Sequence, residues 1–285
     1  MGTTVNYAGP VREPVRVTRP GTPMTGPYSV NQMDDFYAAL AAGQVKPTGI
    51  MNYIQRLFIA ERCGPGARVI DVCCGRGLQL PVLYRYAPHI ACYLGLDITQ
   101  AHLEQASARA AELDDAHGAR PFEISLAQCD VAGAWPPCPL ADVIIYTSAL
   151  EHLPRDAGAA SLRHAAGTLS EGGTLYLSTP NTPGDPPRML QHGVHVYEWE
   201  DSELRAVLAG TGLTVTDTIG LLPPPPQATR QILARQYGPG AAEWHTRLAE
   251  TIPEPFLATV SAAALGPAGC VNLIWPHLLL CFGPT

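Results

Sequence analysis

Apolar positions along the chain follow two periods in turn. Residues 1–27 are rich in Pro, Gly and Thr and are expected to be flexible or extended. In "NQMDDFYAALAAG", Met33, Phe36, Tyr37 and Leu40 recur at helical spacing behind Asn31, a plausible cap. "GIMNYIQRLFIAERC" predicts a second helix with Ile50, Ile54, Leu57 and Phe58 on one face, stopped by Gly64-Pro65-Gly66. Together these helices make an expected cap over residues 28–63. From residue 64 onward, strand-like and helix-like runs alternate. The strands are "ARVIDVCC", "ACYLGLDI", "FEISLAQCD", "ADVIIYTSA", "GGTLYLSTP" and "LTVTDTIGLL". The helices are "GLQLPVLYRYA", "TQAHLEQASARAAELDDAHG", "DAGAASLRHAAGTL" and "EDSELRAVLAGTG". Such alternation predicts a mostly parallel sheet covered on both faces.

"PPPP" at 223–226 interrupts the alternation. Three helix-like pieces follow, near 227–236, 240–250 and 254–264, and "CVNLIWPHLLLCF" then reads as a last strand. The expected fold is therefore α/β: a Rossmann-like, seven-stranded, mostly parallel sheet with helices on both faces. Its main domain spans 64–285, with a helical insertion at about 222–265 serving as a lid.

In such a sheet, ligands sit beyond the carboxyl ends of the strands. "VIDVCCGRG" is a strand and its exit loop, and Gly75 and Gly77 allow a tight turn into the next helix. That helix offers free N–H groups to an anion. The second strand ends in Asp97, an acid able to accept from both hydroxyls of a ribose. A dinucleotide loop would read G-x-G-x-x-G, but from Gly75 the residues are G-R-G-L-Q-L, so the third glycine is missing. Asp71 stands before the turn, where a carboxylate repels a pyrophosphate but suits an ammonium group. These features point to S-adenosylmethionine rather than NAD.

Residues 66–220 resemble the class I S-adenosylmethionine-dependent methyltransferases. "VIDVCCGRG" is similar to the family's D-x-G-x-G-x-G motif, and "LGLDIT", "LAQCDV", "ADVIIYTSALEHL" and "GGTLYLSTPN" resemble the motifs that follow in order. "HVYEWEDSELRAVLAGTGLTV" is similar to a segment of small-molecule and quinone-pathway methyltransferases. Cys73 departs from the pattern, standing where the first glycine usually is. The resemblance implies a role for each matching residue. Asp71 would hold the methionine ammonium, and Cys73, Gly75 and Gly77 would let backbone approach the methionine part. Asp97 would bind the ribose, and Ile98 would pack on adenine. Asp130 would accept from the adenine amino group, Val131 would offer its backbone N–H, and Thr147 would line the methionine side.

Methyl transfer to a hydroxyl, an amine or an acidic carbon benefits from a base. His152 follows Glu151 after the fourth strand, and His192, His195, Tyr197 and Glu198 cluster after the fifth. His195 is the favoured candidate and His152 the second, because Glu198 can orient the His195 imidazole. The structural alternative is that His195 and Glu198 only pin their loop. A nucleic-acid amino methyltransferase would carry D/N-P-P-aromatic after the fourth strand. Here Asp185-Pro186-Pro187-Arg188 lies after the fifth and lacks the aromatic.

Composition narrows the partners. The chain has 285 residues, a net charge of −7 and no basic run, which argues against nucleic acid. The expected acceptor is a small molecule, partly apolar given Trp244, Phe256 and Leu257 in the insertion. Its Ala/Pro-rich style suggests specialised metabolism. The first residues hold no continuous apolar segment, so a secretory signal is not expected. Residues 255–285 carry no charge, but Gly266, Pro267, Gly269 and Pro276 suit a membrane span poorly. A soluble, cytoplasmic protein without a membrane contact is expected, with the oligomeric state open, a homodimer included. The eight cysteines show no C-x-x-C or zinc-type spacing, so no metal site is expected. Two other classes stay open: an NAD(P)-dependent Rossmann oxidoreductase, and an S-adenosylmethionine-binding protein with a non-methylating activity.

Overall fold

The structure, a computed structural model, describes residues 47–182, 184–190, 192–221, 223, 226–271 and 277–284. The expected flexible segment 1–27 and the first cap helix lie outside these residues. The chain runs α1 (Pro47–Ala60), β1 (Arg68–Val72), α2 (Leu80–Tyr86), β2 (Cys92–Asp97), α3 (Gln100–His117), β3 (Glu123–Gln128), β4 (Ala141–Thr147), a 3₁₀ turn (Leu150–His152), α4 (Arg155–Thr168) and β5 (Leu169–Pro180). It continues through α5 (Asp201–Ala209), β6 (Leu213–Gly220), α6 (Pro226–Tyr237), α7 (Pro239–Thr251), α8 (Glu254–Val271) and β7 (His277–Pro284).

Local chemistry sets several boundaries. Pro81 sits in the first turn of α2, where its missing N–H costs no hydrogen bond. Gly118, at φ 75°, ends α3 in the left-handed conformation. Glu200 caps α5 by accepting from the backbone N–H groups of Ser202 and Glu203.

The expected parallel sheet with flanking helices is present. Five strands, in the order β3-β2-β1-β4-β5, pair in parallel. Beyond them β7 pairs antiparallel with both β5 and β6. Neighbouring residues of β4 point to opposite faces, as a strand demands. Ile144 and Tyr146 pack with Leu96, Leu150, Leu162 and Trp199, while Val143 and Ile145 pack with Ile59, Leu83, Tyr93 and Leu113. The insertion α6–α8 has a small core of its own around Leu233 and Leu265. Its last helix lies against β6 and α1.

The apolar face expected of α1 is met in part, with Leu57 and Phe58 packed against the core. Ile54 is 42% exposed, whereas Gln55, Ile59 and Ala60 are buried. A polar partner explains the shift. Ser178 on β5 donates to Gln55 Oε1 at 2.8 Å, a bond buried between two elements distant in the chain. Periodicity counts apolar residues and misses a face chosen by a buried amide.

Candidate active site

The chain order reverses between β1 and β4, so their exit loops face one crevice. A cavity of about 450 Å³ opens there, lined by Asp71, Cys73 and Gly75 from the β1 side and Thr147 and Ser148 from the β4 side. Gln55 and Arg56 of α1, and His102 and Gln105 of α3, close its walls.

The β1 loop is built from left-handed residues: Cys73 at φ 57°, Gly75 at 54° and Gly77 at 68°. Gly77 is demanded by packing as well, since a Cβ there would lie 3.0 Å from the side chains of Ala106 and Leu80. Gly75 faces open space, with nothing within 4 Å of a built Cβ. That bare backbone, beside a buried acid, is a surface a methionine moiety can lie against. The residues present therefore fit S-adenosylmethionine.

Asp71 is 6% exposed, and the Tyr93 hydroxyl donates to its Oδ2 at 2.7 Å. Burial pushes its carboxyl up to about 7, against the opposing pull of the Tyr93 hydrogen bond and Arg56. A cationic ligand group would favour the ionised form again.

Asp97 closes the loop onto β2. Its Oδ2 accepts from the Gly75 N–H at 2.9 Å, and its Oδ1 from the Thr99 N–H at 2.8 Å. His102 Nδ1 approaches Oδ1 at 3.3 Å. Each carboxylate oxygen takes about two bonds, so Oδ2 keeps one site for a ribose hydroxyl. A second requires His102, 44% exposed, to swing away.

The residues expected on the adenine side, Ile98, Asp130 and Val131, follow the ends of β2 and β3 and do not line this cavity. Ile98 is 63% exposed. Asp130 is exposed and accepts from the Ala132 N–H at 3.0 Å, a local turn. Val131 is buried, and its carbonyl accepts from Trp135 Nε1.

Burial, reinforced by the nearby carboxylates of Asp97, Asp71 and Glu151, pushes the Cys73 thiol up to about 12. Glu151 is thus close enough to the β1 loop to act on the Cys73 thiol.

The expected acceptor end is assembled from β4, β5 and the segment after β5. His152 lies in the separate 3₁₀ turn, not in the helix that follows. Glu151 is buried, and Thr179 donates to its Oε2 at 3.0 Å. Its backbone carbonyl accepts from the N–H groups of Val196 and Tyr197, which ties the two loops together. His195 Nδ1 lies 2.5 Å from Glu198 Oε1, and the other Glu198 oxygen accepts from Thr182. The His152 and His195 ring centroids are 5.2 Å apart, and those of His192 and His195 5.1 Å. Arg188, only 5% exposed, anchors the segment through Glu203, Tyr197 and the Glu198 carbonyl. Trp199 is sunk in the core below. Glu198 thus both orients His195 and pins the loop.

Sequence reasoning missed the α1 wall and Ser148. Ser148 has φ 51° and a buried hydroxyl without a partner. Only its position after a strand end, next to Thr147, could have flagged it. Among the described residues, no helix is long and apolar enough to cross a membrane.

A family model described as a methyltransferase domain matches residues 46–218. A ubiquinone biosynthesis O-methyltransferase of Xanthomonas campestris is 31% identical over 208 residues, covering 66% of this chain and 82% of its own. That of Xanthomonas axonopodis is 30% identical over 213 residues, with the same shares covered. Among solved structures, an O-methyltransferase from a trans-AT polyketide synthase multienzyme of Brevibacillus brevis, bound to S-adenosyl-L-homocysteine, superposes with a TM-score of 0.52 at 19% identity, covering 94% of this chain and 81% of its own. The [4+2]-cyclase SpnF superposes with a TM-score of 0.54 at 17% identity, covering 93% and 100%. At such identities the structural likeness speaks for the fold alone.

Proposed function

The chain belongs to the class I S-adenosylmethionine-dependent methyltransferases, and from that premise we propose that it methylates a hydroxyl oxygen of a small, partly apolar acceptor. Its cofactor, S-adenosylmethionine, supplies the methyl group on a sulfonium already activated for displacement. The chain's own task is to hold, align and deprotonate.

In this reading Asp71, Cys73, Gly75, Gly77 and Thr147 hold the methionine part. Asp97 holds the ribose, and Ile98, Asp130 and Val131 the adenine. Glu151, His152 and His195 promote loss of the acceptor's proton, with Glu198 fixing the His195 ring. The observation that carries this reading is the His152–His195 pair, with ring centroids 5.2 Å apart and His152 in the turn just after Thr147 and Ser148, which line the cavity. A carboxylate acceptor would need no such pair; a hydroxyl does. The O-methyltransferase names of the relatives point the same way.

Apolar side chains support the acceptor's character. Met189, Val194 and Val196, in the segment that carries His192 and His195, are exposed at 92%, 72% and 53%. In this reading α1, whose Gln55 and Arg56 wall the cavity, belongs to a cap, and the α6–α8 insertion serves as a lid. A hydroxylated metabolite of specialised biosynthesis, met in the cytoplasm, suits such a site. An oxidoreductase reading has no support in G-R-G-L-Q-L at the β1 loop.

The experiment is incubation with methyl-labelled S-adenosylmethionine and a panel of phenols, aliphatic alcohols and amines. Label on oxygen is the expected result. Label confined to nitrogen or carbon would contradict the hydroxyl assignment.

A further inference from the structure

The acceptor end has a property that proton transfer alone does not require. One ligand atom each from Glu151, His152 and His195 lies within 4.8 Å of the other two. Each of these side chains is held by a partner of its own. Val194 O lies 3.2 Å from His152 Nδ1, and Glu198 Oε1 lies 2.5 Å from His195 Nδ1. An Nδ1–H given to oxygen leaves the lone pair on Nε2, the arrangement by which metal-binding imidazoles are oriented. Glu198 is in turn engaged by Thr182, and the Glu151 carboxylate by Thr179.

We propose that Glu151, His152 and His195 bind one divalent transition-metal ion of the zinc type, which holds the acceptor hydroxyl next to the cofactor. The role in catalysis rests on the methyltransferase reading above; the site itself does not. Two imidazoles and one carboxylate suit zinc or cobalt and offer too few oxygens for calcium. Bonds of about 2.0–2.2 Å require donors roughly 3–3.5 Å apart, so the triad must close by about 1 Å or more. His152 is exposed on a short turn and has room to make that movement. Three protein ligands leave a position for the acceptor oxygen, as in catalytic zinc sites. The acceptor O–H proton leaves to solvent water. The O–C bond then forms as the C–S bond breaks, with that electron pair staying on sulfur and the metal ion unchanged. Sequence spacing conceals the triad, because His195 comes from a different loop than Glu151-His152.

The test is titration of the chelator-stripped chain with Zn²⁺ by calorimetry and with Co²⁺ by visible absorption. One ion per chain is expected, bound at least tenfold more weakly by Glu151→Gln, His152→Ala and His195→Ala. Glu198→Gln should weaken binding about 10–100-fold. His117→Ala, on exposed α3, should change nothing. His152→Ala keeps the test decisive even if the buried variants misfold. Absence of stoichiometric binding, or affinity unchanged in both histidine variants, overturns the proposal. S-adenosylhomocysteine titrated into the same samples reports on the cofactor reading separately: if it binds and zinc does not, only the metal site fails.

Discussion

The proposed cofactor end and the proposed acceptor end are built in opposite ways. The cofactor end is local: three left-handed residues within one loop, an acid just before it, and a second acid whose carboxylate accepts from that loop's backbone at 2.9 Å. Its shape comes from backbone conformation. The acceptor end comes from side chains reaching between β4, β5 and the segment before α5, with Glu151, Arg188 and Glu198 as the joints. A site made of backbone tolerates side-chain changes unless they touch its acids. A site made of side-chain joints fails when one joint is removed.

The largest effect is therefore expected at the acceptor end. His195→Ala should slow single-turnover methyl transfer about 10²–10⁴-fold, while S-adenosylhomocysteine affinity stays as it was. A rate near that of the wild type would mean that alignment alone drives the reaction. Next comes Asp97→Ala. Loss of a charge-assisted hydrogen bond contributes about 1.5–3 kcal/mol, so cofactor affinity should fall at least tenfold in calorimetry. Unchanged affinity would detach the ribose from β2.

A pH titration sharpens the role of Asp71. With its carboxyl raised to about 7, the free site loses its anion as pH falls through that value. Cofactor affinity should drop roughly tenfold from about pH 8 to pH 6, and Asp71→Asn should be weak and flat over that range. Stability runs the other way. A raised carboxyl makes the folded state bind its proton more tightly than the unfolded chain, so stability is lost as pH rises from about 4 to 7. Asp71→Asn should thus unfold at a higher temperature than wild type at pH 8, and the difference should shrink in acid. A variant less stable at pH 8 would show that the ionised acid has a stabilising partner. The smallest effect is expected for Cys73→Gly. Relief of left-handed strain, about 1–2 kcal/mol, is offset by lost burial of the thiol, so stability should shift by no more than about 1 kcal/mol. Denaturant unfolding reads this directly, and a larger loss would mean that the thiol packs as an essential wall.

The same division explains what was legible in the sequence. Alternating runs recovered the strands and helices, because each buries one face by a fixed period. The β1 loop and Asp97 were legible since their spacing along the chain is their spacing in the fold. The α1 wall was not, because Gln55 is buried by Ser178, far along the chain. Ser148 was not, because nothing in "YTSAL" announces a left-handed serine. His152 and His195 were each legible as candidates. Their convergence with Glu151 was not, since it depends on how the β5 exit folds back over β4.

One calorimetric comparison tests the division most directly: S-adenosylhomocysteine titrated into wild type, Asp97→Ala and His195→Ala at about pH 8, with NAD as the control ligand. The expected result is one site per chain in the wild type, at least tenfold weaker binding in Asp97→Ala, unchanged binding in His195→Ala, and no heat from NAD. Equal weakening in both variants, or tighter binding of NAD, would contradict it.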